Sequence, residues 1–123
     1  MDKYPVQSFT IEKEKTNYKS VDAIIEHFKS LVDAHPVCLF IAIFDHYRHT
    51  NSLEGHTIAA EIQDAKNLIF CFGKELKDPR ILAARPRSIG VSDMGEYFSI
   101  DFMDAPNAQL NATMIEWVDS LTS

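Results

Sequence analysis

The chain has 123 residues, 46% of them hydrophobic and 24% charged, with a formal net charge of −6. That length suits one domain over residues 1–123, and that composition supports a buried core without disulfides or a structural metal, which argues against whole-chain disorder. The acidic balance repels phosphate backbones, and the one compact basic group, Arg80, Arg85 and Arg87, is too small for a nucleic-acid footprint.

Cys38 and Cys71 both lie inside apolar runs and read as free core thiols. The opening Met1-Asp2-Lys3-Tyr4-Pro5 lacks the apolar stretch of a secretory signal. The longest apolar run, residues 37–44, is too short to cross a bilayer as a helix. A reducing cytoplasm and no membrane partner are therefore expected.

In chain order, Phe9 and Ile11 alternate with polar neighbours and predict a first strand over residues 6–12. Ser20 is a candidate N-cap, and Val21, Ile24, Ile25, Phe28, Leu31 and Val32 form one helical stripe. That helix should stop near Ala34, because Pro36 disfavours helix at the residue before it. Residues 37–44 are apolar on both faces and predict a central strand, buried on two sides. A polar loop should run from Asp45 to about Asp64.

Leu68 to Phe72 predicts a second apolar strand, closed by Gly73. Asp78-Pro79 signals a short helix through Ala84. Ile89 and Val91 begin another strand, a turn follows at residues 93–96, and Phe98, Ile100 and Phe102 alternate cleanly. These last two strands should form an antiparallel hairpin. Leu110, Met114, Trp117, Val118 and Leu121 then mark a final amphipathic helix. The expected fold is α+β, a mostly antiparallel sheet with helices packed on one face, in the order β-α-β-β-(short α)-β-β-α. The other face needs cover, and a two-fold homodimer would supply it.

Three segments carry a family resemblance. Residues 40–46 are similar to a strand ending in Asp-His found in a widespread bacterial family of unknown function with a TATA-binding-protein-like fold. Residues 67–73 resemble that family's apolar strand ending at glycine, and residues 87–106 resemble its closing hairpin with a proline before the last helix. Lys74-Glu75 and Arg85-Pro86 stand where the family usually has Asn-Pro and Leu-Pro, as in a distant branch or a separate small family. The resemblance implies one strand, a helix, four strands and a closing helix, and a dimer. It supplies no catalytic residues and no DNA binding.

Two groups of side chains carry chemistry. Asp45, His46, His49 and His56 include the ligand types that Zn, Fe or Ni favour, at the end of a rigid strand. If the strand ran on through Tyr47, Asp45 and His46 would point to opposite faces, whereas the His46-x-x-His49 spacing suits a helix. A haem reading uses the same histidines beside Phe40, Phe44 and Tyr47 but lacks a visible slot. No nucleophile elbow accompanies Thr50, Ser52 or Cys71, so no catalytic residue is nominated and enzymatic activity is not expected. Arg85 and Arg87, two apart, can face the same way and offer guanidinium forks to a carboxylate or phosphate.

The favoured reading is a small-ligand-binding or accessory domain working as a homodimer. Asp45, His46, His49, Arg85 and Arg87 would line its pocket, Phe40, Phe44, Phe70 and Phe72 would supply apolar walls or only core, and a small anionic metabolite is the ligand class. No cofactor is expected. The alternatives are a transition-metal protein using His46, His49 and His56, and a protein interaction module without a small ligand.

Overall fold

Short-range hydrogen bonds set where the elements begin. Ser20 accepts from the Ala23 amide at 3.0 Å, and α1 (Val21–Ala34) starts there. Asn107 accepts from the amides of Gln109 and Leu110 at 2.8 and 3.2 Å, opening α3 (Ala108–Asp119). Asp78 accepts from the Arg80 amide at 2.9 Å and caps a 3-10 turn, Pro79–Ala83, in place of the expected short α-helix. The computed structural model describes residues 5–122.

The strands are β1 (Val6–Glu12), β2 (Cys38–Phe44), β3 (Asp64–Phe72), β4 (Arg87–Asp93) and β5 (Tyr97–Met103). They form one antiparallel sheet in the order β1-β5-β4-β3-β2. The expected β4–β5 hairpin is present, turned through Gly95 at φ 96°. Helix α1 carries the chain from one sheet edge to the other and packs across β2, β3 and β4.

Period-2 alternation divides the sheet into two faces. Leu68 and Phe70 of β3, Ile89 and Val91 of β4, and Phe98, Ile100 and Phe102 of β5 are buried on one of them. Phe28 and Ile24 of α1 and Met114, Trp117 and Val118 of α3 complete that core, with the Trp117 and Phe70 rings 5.6 Å apart. The fold is thus α+β with its helices on one face. No helix among the described residues is long and apolar enough to cross a membrane.

Three local expectations change. Residues 38–44 do form a strand, but β2 lies at the sheet edge, with Leu39 69% exposed and Ile41, Ile43 and Phe44 also exposed. Sheet order, not hydrophobicity, decides which strand is central. A register shift between Phe40 and Ala42 also bends β2 at its middle. The expected loop from Asp45 to Asp64 contains a helix, α2 (His46–Asn51), and β3 begins at Asp64 rather than Leu68 because pairing with β4 extends it.

A histidine outside every candidate site fastens the two long helices together. His27 Nδ1 lies 3.0 Å from the Tyr18 hydroxyl, and His27 Nε2 lies 2.7 Å from Ser120 Oγ. The Ser120 hydroxyl donates to the Trp117 carbonyl at 2.6 Å, so Nε2–H donates to Ser120 and Tyr18 donates to Nδ1. Both ring nitrogens are satisfied in the neutral form. Burial holds the His27 pKa below its ordinary 6.5. As pH falls through that value the unfolded chain takes up a proton that the folded ring resists, so stability declines. Urea unfolding between pH 8 and 5 should show constant stability above neutrality and a loss below about 6.5 that His27→Gln removes. An identical loss in the variant would assign the acid sensitivity elsewhere.

Candidate functional site

The first group gathers at the start of α2. Asp45 caps that helix, accepting from the Arg48 amide at 2.9 Å, and its carboxylate lies 3.9 Å from Lys66 Nζ. Lys66 also pairs with Asp22, tying α2 to the first turn of α1. Helical spacing then puts His46 and His49 on one side, with ring centroids 6.4 Å apart. The Phe44 ring stands 5.1 Å from His46 and 5.3 Å from His49. His46 Nδ1 donates to Asn67 Oδ1 at 3.2 Å, and Asn67 Nδ2 donates to Ser88 Oγ at 2.9 Å, so a polar chain crosses three strands' width. His56 instead sits 2.9 Å from the Leu53 carbonyl. The three histidines do not converge. Among the described residues no group of three or more His, Cys, Asp or Glu side chains could hold a metal ion.

The second group is assembled by the chain from Gly73 to Leu110. A cleft of about 310 Å³ opens between the 3-10 turn, the start of β4 and the start of α3. Arg80, Arg85 and Arg87, the compact basic group of the sequence, all line it. Asp45, His46 and His49 do not, so the five expected ligand residues are split between two places.

The three arginines differ in how free they are. Arg85 Nη1 donates to the Glu75 carbonyl at 2.8 Å, and its guanidinium lies over Gly73. Gly73 has φ 110°, which calls for glycine, and a Cβ there would come 2.7 Å from Arg85 Nη2 and displace the guanidinium. Arg85 thus braces its own loop from a partly exposed position. Arg80 lies at the exposed rim beside Asp78.

Arg87 is the unusual one. Its relative exposure is 9%, because β4 alternation puts it on the same face as Ile89 and Val91. Its Nη2 donates to the Met103 carbonyl, while its Nε is buried with no hydrogen-bond partner. No carboxylate among the described residues forms an ion pair with it. Burial pushes its pKa down, and the charge of Asp104 partly opposes this. A buried cation with no ion pair and only the more distant charge of Asp104 is costly and is favoured by an incoming anion.

Phe72, Ile81, Ala84, Ala105, Pro106 and Leu110 form the apolar wall of this cleft, and Asn107 borders it from the α3 cap. Of these the sequence nominated only Phe72, as an apolar wall or core. Asp78-Pro79, Pro106-Asn107 and the Leu110 stripe signalled local structure, but not that these segments converge.

The cysteines also part company. Cys38 packs against the core, whereas Cys71 borders a shallow depression with Ile41, Leu76 and Leu82. Both are free.

Fold and site together define a two-layer α+β domain with an arginine-lined, mostly apolar cleft and no recognised catalytic constellation. The chain belongs to a family of unknown function (DUF6858), whose model matches residues 1–123. No curated protein and no solved structure matches it.

Burial pushes the Cys38 thiol up to about 11, with the charge of Cys71 adding to the effect. At pH 8 its alkylation by iodoacetamide, followed by mass spectrometry, should be roughly a hundredfold slower than that of free cysteine. Equal rates would mean that Cys38 is not held against the core.

Proposed function

We propose that this is a small-ligand-binding domain that acts as a homodimer in the bacterial cytoplasm, and that its ligand is a small anion held in the cleft at Arg87. The observation that carries the reading is the buried Arg87 guanidinium, with an unpartnered Nε and no ion pair among the described residues. Natural cores seldom keep such a group without use, since its desolvation is uncompensated until a negative charge arrives. The cleft volume of about 310 Å³ lies at the small end for ligand pockets. Kinship with the TATA-binding-protein-like family is part of the same reading, supported by the order β-α-β-β-β-β-α once the short helices are set aside.

The dimer reading rests on the open sheet face. Ile41, Leu76 and Leu82 ring the depression over Cys71, and Leu39, paired with Cys71 across the strands, extends it. Leu76 and Leu82 are 67% and 61% exposed. Monomers rarely show large contiguous apolar patches, and a two-fold copy covers both patches in one contact.

Two measurements test these claims. Melting curves at matched ionic strength should rise with sodium phosphate or with sodium benzoate, by an amount equal to about 2.7 kcal/mol at a hundred times Kd, and Arg87→Gln should abolish the rise. No rise with either salt removes the anion reading. Native mass should give a dimer for the wild type and a monomer for Leu39→Glu. A wild-type monomer at micromolar concentration removes the dimer.

A further inference from the structure

Resting on the anion reading above, we infer that the cleft selects a monocarboxylate with a compact apolar body, and not a phosphate. The argument is one of counting donors and surfaces. Phosphate groups are held by several convergent donors: backbone amides at a helix start, glycine-rich loops, or more than one free cation. This cleft offers few of these. Asn107 already accepts from the Gln109 and Leu110 amides, so its own side chain occupies the α3 start. Arg85 gives Nη1 to the Glu75 carbonyl and Arg80 stands at the exposed rim, so neither is a desolvated cation. No lysine and no glycine lines the cleft. What is left inside is a single buried guanidinium, Arg87, with one protein hydrogen bond, to the Met103 carbonyl.

One guanidinium fork matches one carboxylate in charge and in planar geometry. A second negative charge on the ligand would find only the solvent-screened Arg80 and Arg85 and would face Asp78, which lines the same cleft, and the field of Asp104. The chain's net charge of −6 adds to that penalty. The rest of the lining includes Phe72, Ile81, Ala84, Ala105, Pro106 and Leu110, which offer no hydrogen-bonding side chain. A ligand body that fills this space gains by burying carbon, at about 25 cal/mol per Å² of apolar surface. A polar body would lose its water without compensation. The volume admits roughly one aromatic ring or a short branched acyl chain, within the lower range for such pockets.

Titration calorimetry of the full chain tests this with three probes: benzoate, inorganic phosphate and benzamide. Benzoate should bind at least tenfold tighter than either of the others. Benzamide keeps the ring and removes the charge, so equal affinity for benzamide would remove both the carboxylate inference and the anion reading beneath it. Phosphate binding as tightly as benzoate, or more so, would overturn the inference and leave the anion reading standing. Binding of none of the three would remove both. Location is tested by Ala84→Phe, which fills the apolar end of the cleft from a half-buried position and leaves Arg87 in place. Benzoate affinity should fall at least tenfold in that variant, with its melting curve still cooperative. Should Ala84→Phe fail to fold, Leu110→Ala enlarges the same wall, and an unchanged benzoate affinity in whichever variant folds would place the ligand elsewhere.

Discussion

Alternation along β4 obliges Arg87 to share a face with Ile89 and Val91. Everything proposed for the cleft depends on that constraint. The strand cannot tuck two apolar side chains under the helices without also carrying the guanidinium two residues earlier toward them. Antiparallel pairing fixes the depth, since Arg87 lies across from Phe70, itself fully buried. The Met103 carbonyl takes one guanidinium hydrogen, and the remainder of the charge is left to the cleft.

The helices finish what the sheet starts. Helix α3 brings Leu110 and the Asn107 cap to the cleft, and the 3-10 turn brings Ile81 and Ala84. Gly73 lets Arg85 close over the backbone, which keeps a second cation near the cleft but occupied. On the far side of the sheet the physics differs. There β2 stands at an edge with Leu39 and Ile41 exposed, and the His46–Asn67–Ser88 chain runs across the open face. The cleft and the depression over Cys71 are separate hollows, with Arg85 bordering both.

What could be read from the sequence follows from the range of the forces involved. Ser20, Asp78 and Asn107 act on amides two or three residues away, and β5 shows its buried face by alternation alone. The number of strands and their succession along the chain followed, but not their order in the sheet. The placement of β2 did not, because an apolar strand reads the same at the centre or at the edge of a sheet, and the pairing that decides it is long-range. Helix α2 was hidden for another reason. It has no apolar stripe, and its only signals were the Asp45 cap and the spacing of His46 and His49. The arginine pair stood out by charge, but which arginine was free depended on Gly73, Glu75 and Met103, none of them near Arg87 in a pattern that a single sequence displays.

The most direct measurement is the unfolding free energy of dialysed, ligand-free Arg87→Met set beside the wild type. Methionine fills similar space without charge. The lost charge-assisted hydrogen bond to Met103 costs about 1.5–3 kcal/mol, whereas relieving a buried cation that has no ion pair returns several. Stability equal to or above that of the wild type is expected, together with loss of the anion response. A variant markedly less stable than the wild type would make Arg87 a structural strut and would contradict its role as the ligand's anchor.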